Sequence, residues 1–157
     1  KRLNGWDQMR LYAVLQVAEA DAYVASFDSK YFYSFWRPIT AIRAAAADGN
    51  PDTTADAAWT SLEPAPPIPD HASGHAAAAG AGAAVLESLL PGSGTFSHQS
   101  ASLPGVTRNF VSIAQAEQEI GASRVYAGFH FRRAVSQGLK QGRQVGNWAL
   151  QHAMGPA

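Results

Sequence analysis

Four prolines fall within six residues, at Pro64, Pro66, Pro67 and Pro69. Proline lacks a backbone N–H and has a fixed φ, so this stretch fits neither a helix interior nor a central strand. Residues 51 to 72 are therefore expected to form one long loop. Whatever regular structure the chain has must lie on either side of it.

On the N-terminal side, apolar residues at Leu11, Leu15, Ala18, Ala22 and Ala25 recur at threes and fours, which predicts a helix over Trp6 to Phe27. An aromatic block follows (Tyr31, Phe32, Tyr33, Phe35, Trp36) and leads into Arg37-Pro38. A residue before proline avoids the α region, so Arg37 is placed at a junction and Pro38 opens the next helix. That helix runs through Ile39, Ile42 and the alanines at 44 to 47, and stops at Asp48-Gly49-Asn50-Pro51.

Beyond the loop, Ser73 is a good N-cap for an alanine-rich helix ending at Leu90. A Gly/Ser/Pro-rich connection is expected at about 91 to 107. A helix is read from Arg108 to Ile120, with a break at Gly121 and Ser123 capping a short helix. The last helix spans about Arg132 to His152. No segment alternates with period two, so the expected fold is all-α: a helical bundle of five to seven helices. Its chemistry would gather at helix ends and the long Pro-rich loop.

The chain has 157 residues, 46% hydrophobic and 15% charged, which suits one globular helical domain over 1 to 157. Lys plus Arg and Asp plus Glu both number 12, and no basic run or reading motif is present, so no nucleic-acid partner is expected. Any anion preference must come from a local cluster of cations. No cysteine occurs, which removes disulfides, thiolate ligands and cysteine nucleophiles. The longest apolar stretch, near Ala76 to Leu90, is interrupted by glycines, and no membrane span is expected. The chain opens on Lys1, as if it were the C-terminal part of a longer precursor. A periplasmic or secreted location is the expectation, with any signal segment outside this sequence.

Three places carry candidate chemistry. At Ser73-Gly74-His75, a helix N-terminus offers free N–H groups to an oxyanion, Gly74 permits close backbone approach, and His75 stands in the first turn with a pKa expected near neutral. Taken singly, this reads as a capped helix with a surface histidine. Arg124 and His130, with Gly128 between them, can reach one point across a helix-to-loop break, yet singly they read as a surface arginine and a core histidine among Tyr126, Phe129 and Phe131. Arg132 and Arg133 follow, one or both solvated. Lys30 sits among aromatics, where a charge needs neutralising unless the side chain snorkels to water. Arg37 has Trp36 beside it as a stacking partner.

In combination these residues say more. The order is Lys30, six residues, Arg37-Pro38; then Ser73-Gly74-His75; then Ser123-Arg124, five residues, His130. This resembles the three-block signature of the vanadium-dependent haloperoxidase and type 2 phosphatidic acid phosphatase superfamily. The resemblance spans residues 30 to 130. The block Phe35-Trp36-Arg37-Pro38, with Ile42-Arg43 downstream, is closer to the bacterial haloperoxidase-like branch.

The resemblance implies a pocket for vanadate, which phosphate can also occupy. Lys30, Arg37 and Arg124 would neutralise its oxygens, while Ser73 and the Gly74 N–H would donate to them. His130 would be the axial ligand of the metal, or the phosphohistidine nucleophile in a phosphatase, and His75 the acid–base group. The implied activity is oxidation of a halide or a small organic substrate by hydrogen peroxide. The alternatives are hydrolysis of phosphomonoesters and a non-catalytic oxyanion-binding domain. The phosphatases keep an aspartate four residues after the nucleophilic histidine; Ala134 stands there, so His130 needs another group on its second nitrogen.

Other departures are Ala72 in place of proline before Ser73, and Ile68 where the peroxidases place an aromatic or histidine, which leaves halide choice open. His71 could stand in at the halide site but reads as an exposed loop histidine, and Asp70 could add an acid–base group but reads as a residue that hydrates the loop. Lysine and arginine beside an anion are expected to stay charged, so the pocket should work over a broad pH range, limited mainly by His75 and His130. A homodimer is one way to cover faces that missing N-terminal helices would leave bare.

Overall fold

The computed structural model describes residues 3–92 and 94–155. Among them are five α-helices: α1 (Gly5–Tyr33), α2 (Pro38–Arg43), α3 (Gly74–Leu89), α4 (Ile113–Tyr126) and α5 (Arg132–His152). A 3-10 turn at Ala45–Ala47 follows α2, and a two-stranded antiparallel sheet, β1 (Phe96–Gln99) and β2 (Thr107–Phe110), precedes α4. The fold is a helical bundle.

Helix α1 starts where Asn4 accepts a hydrogen bond from the Asp7 N–H at 2.9 Å, and it runs past the expected end to Tyr33. Its buried residues, Leu11, Val14, Ala18, Ala22, Ser26 and Lys30, form one stripe at helical spacing. The stripe changes from apolar to polar along its length, so α1 is core at one end and site at the other. The opposite face leaves Trp6, Met9, Tyr12, Val24 and Phe32 largely exposed.

Helix α3 lies at the centre, packed against α1, α4 and α5. Small residues explain its closeness to α5. A Cβ on Gly138 would stand 2.6 Å from the Ser73 carbonyl oxygen, and one on Gly146 would stand 2.6 Å from the Ala81 carbonyl oxygen. Gly142, one turn from each, faces the Ala77 carbonyl in the same way. The two backbones thus touch through glycine and alanine, and the core holds Ala77, Ala81, Val85 and Ala149 with the α1 stripe.

Three expectations fail here. Residues 107–110 form a strand, so α4 begins at Ile113 instead of Arg108, capped by Ser112, whose side chain accepts from the Gln115 N–H. The strand pair has Phe96 opposite Phe110, and its residues are exposed apart from Phe110, so no buried face imposed a period-two pattern. Gly121 does not break a helix. It lies buried inside α4, where a Cβ would meet the Val135 side chain at 3.0 Å, so glycine serves helix contact, and Ser123 is interior to α4. Helix α5 falls where expected, at Arg132–His152.

One cation strut joins the layers. Arg143 of α5 pairs with the buried Glu117 of α4 and, at 2.9 Å, with Glu87 of α3.

Candidate functional site

The long loop returns to the end of α1, and two cations hold it there. Lys30 has almost no exposed surface; its ammonium donates to the Pro69 and Asp70 carbonyls, both at 3.0 Å. Arg37 is extended ahead of Pro38, as a pre-proline residue should be, and forms the N-cap position of α2. Its Nε donates to the Ile68 carbonyl at 2.6 Å and its Nη1 to the Phe129 carbonyl at 2.9 Å. Snorkelling is therefore not what Lys30 does. Both cations satisfy themselves on main-chain oxygens, and each still has N–H groups to spare.

Ser73 is fully buried at the start of α3, with Gly74 in the first helical position. Its N–H donates to the Ala134 carbonyl at 3.0 Å, which ties the start of α3 to the start of α5. A Cβ at Gly74 would press on the Tyr23 ring at 3.2 Å. His75 follows in the first turn, partly open to solvent.

Arg124 ends α4 with its guanidinium 4.7 Å from the centre of the Phe129 ring. Its Nε is buried without a partner. Gly128, at φ +74°, makes the turn after α4, and a Cβ there would strike Trp59 at 2.8 Å. This turn delivers Phe129 and His130 into the interior, where both are buried.

Asp70 has a different place from the one expected. Far from hydrating a loop, it is 1% exposed, and its Oδ1 lies 2.6 Å from His130 Nδ1. The carboxylate missing at position 134 is thus supplied from 60 residues upstream. A sequence signal existed: a ligand or nucleophile histidine needs an acceptor on its second nitrogen, and Asp70 is a carboxylate locked between Pro69 and the helix start. His71 also differs from expectation. It is half-buried, with its ring edge-on to Tyr33 at 5.3 Å, and burial lowers its pKa.

Burial is the first influence on the charge of each of these groups, and neighbouring charges come second. Burial, then the charge of Arg37, pulls the Lys30 ammonium down to about 8 from its ordinary 10.5, against the attraction of Asp70. Burial lowers Arg37 and Arg124 as well, Arg124 adding to the effect on Arg37. His75 is lowered by burial and then by Arg124, His130 and Lys30. His130 is lowered by burial, which outweighs its bond to Asp70, so the ring favours its neutral form. These directions describe the anion-free site, in which burial, ahead of the Arg37 charge, weakens the hold of Lys30 on its proton.

Among the described residues no group of three or more His, Cys, Asp or Glu is placed to hold a metal cation. The donor set is cationic and suits an oxyanion. The unpartnered Arg124 Nε, the spare donors of Lys30 and Arg37, and the helix start at Ser73-Gly74 together fit a multiply charged tetrahedral ion. His130 adds one neutral ring nitrogen.

The VCPO second helical-bundle domain model matches residues 10–156. This chain belongs to that family. Vanadium chloroperoxidase of Curvularia inaequalis is 38% identical over 89 residues, a match covering 50% of this chain and 14% of that protein. A bacterial vanadium-dependent iodoperoxidase superposes with a TM-score of 0.80 at 32% identity, covering 92% of this chain and 33% of that one. A bacterial vanadium-dependent chloroperoxidase in its holo form shares the fold, with a TM-score of 0.71 at 22% identity, covering 87% of this chain and 34% of that one. This VCPO-family chain thus spans about a third or less of the length of these relatives. No helix among its described residues is long and apolar enough to cross a membrane.

Proposed function

We propose that this VCPO-family domain binds vanadate and serves a peroxidase that oxidises a halide or a small organic substrate with hydrogen peroxide. The observation that carries the reading is the convergence of Lys30, Arg37 and Arg124, all with burial-lowered pKa, on the Ser73-Gly74 helix start and the buried His130. Vanadate, when bound, would supply an electrophilic centre that activates peroxide. Lys30, Arg37 and Arg124 would hold its oxygens and offset their charge. Ser73 would donate its hydroxyl proton, and the Gly74 N–H would donate from the helix start. His130 would present Nε2 to the bound ion. His75, partly open to solvent in the first turn of α3, would take a proton from the incoming peroxide and return it to the product side.

Phosphomonoester hydrolysis is the second reading, and one observation favours it: the Asp70 carboxylate on His130 Nδ1. In that reaction His130 Nε2 would form a bond to phosphorus as the bond to the leaving oxygen breaks and His75 protonates that oxygen; water would then attack phosphorus, giving a proton to His75 and breaking the P–N bond to release phosphate. Ala134 therefore no longer argues against a nucleophilic histidine.

The deciding experiment is peroxide-dependent bromination of a dye by vanadate-loaded protein, with phosphate as the competing ion. Turnover that needs vanadate and falls with phosphate supports the peroxidase. Tight vanadate binding with hydrolysis of a phosphomonoester and no bromination transfers the reading to a phosphatase. Binding with neither activity leaves an oxyanion-binding domain.

A further inference from the structure

We infer that Asp70 is a positioning residue: it accepts the Nδ1–H of His130 and so fixes the tautomer that leaves the Nε2 lone pair free for the bound oxyanion. This rests on the oxyanion reading above for its purpose, although the tautomer itself does not.

For a neutral His130 ring, the geometry leaves one arrangement. A neutral imidazole has one N–H and one lone pair. A carboxylate oxygen at 2.6 Å from Nδ1 demands that the N–H be there. Both side chains are buried, at 5% and 1% exposure, so water does not compete for the bond. Nε2, on the opposite edge of the ring, is then the unprotonated nitrogen. Carboxylate partners of this kind set the tautomer and ring orientation of ligand histidines.

Asp70 is itself held from three sides. Its N–H donates to the Phe35 carbonyl at 2.8 Å, its carbonyl accepts from Lys30, and the Ile68 carbonyl two residues earlier accepts from Arg37. The cations read as anion ligands therefore also aim the carboxylate that aims the histidine. The first-block residues and His130 are linked through Asp70, which belongs to none of the three motif blocks.

The test begins with the anion-free chain, labelled with 15N at histidine. Long-range 1H–15N correlation should show His130 with a protonated Nδ1 and a bare Nε2. Asp70→Asn should keep that pattern, because the amide oxygen accepts the same bond. Asp70→Ala should move the proton to Nε2, the usual site in a solvated ring, and should weaken vanadate binding by about 10–100-fold, as loss of such a partner does. In a His130→Ala background, Asp70→Ala should cause no further loss of vanadate affinity, which a general structural role would not predict. A wild-type His130 protonated at Nε2 overturns the proposal without any variant, as does a full additional loss in the double variant. If no form binds vanadate while the tautomers behave as stated, the oxyanion reading fails and the positioning role stands.

Discussion

Arg37 donates Nη1–H to the Phe129 carbonyl at 2.9 Å, joining residues 92 positions apart and closing the site's two walls on each other. A planar guanidinium does this while also reaching the Ile68 carbonyl at 2.6 Å through Nε. Lysine cannot serve both. Arg37→Lys should therefore lower stability and weaken vanadate binding together, each by about 1–3 kcal/mol for the charge-assisted bonds lost. A thermal melt and a vanadate titration of the same preparation check it; a loss in binding with unchanged melting would mean that Arg37 acts on the anion alone.

Lys30 predicts opposite pH trends for stability and binding. Its ammonium is pulled to about 8 in the folded chain against an ordinary 10.5. Between those values the unfolded chain holds more protons than the folded one, so stability of the anion-free protein rises with pH there. It is lowest below about 8, where the buried ammonium is charged. Vanadate or phosphate affinity needs that charge and should fall as pH rises through the same region. Denaturant melts and phosphate titrations from neutral pH upward measure both, and Lys30→Met should flatten both trends.

The α3–α5 crossing offers a packing test. Gly142→Ala drives a methyl group into the Ala77 carbonyl, and both helices must shift to admit it. Overpacking of this kind costs about 1–3 kcal/mol. Gly5→Ala, where a Cβ meets nothing within 4 Å, should leave the melting temperature unchanged or slightly higher. Comparable losses in the two variants would show that glycine at 142 is not there for helix contact.

Arg143→Met strands Glu117, whose side chain is 2% exposed, without its cation. Removing one partner of a fully buried pair costs about 3–5 kcal/mol. Arg143 is 37% exposed, so solvent screening reduces the expected loss to about 1–3 kcal/mol. Urea melts at neutral pH should show it.

The helices carried by strong periodicity and clear stops, α1, α2, α3 and α5, were legible from residues alone, and so was the long proline loop. The region from Arg108 to Ser123 was not. Its strands are nearly all exposed, so alternation had no buried face to write itself on, and Gly121 reads as a break because what explains it, Val135 and Leu139 of α5, meets it only in the fold. At the site, the cations and histidines were legible because their order and spacing are distinctive. Asp70 was legible only in part: the need of His130 for an acceptor could be read, but which carboxylate meets it depends on a contact 60 residues away. The fall in the Lys30 pKa was hidden for the same reason: it comes from residues that meet only in three dimensions.

Ser73 bonds to the Ala134 carbonyl, and its own carbonyl rests against Gly138. The start of α3 is thus part of the seam between the two central helices. A side chain added anywhere along that seam would be felt at the anion as a misplaced serine hydroxyl before the chain loses its shape. Mutational tolerance here should consequently be graded by affinity instead of survival: many variants would still fold, and far fewer would still grip.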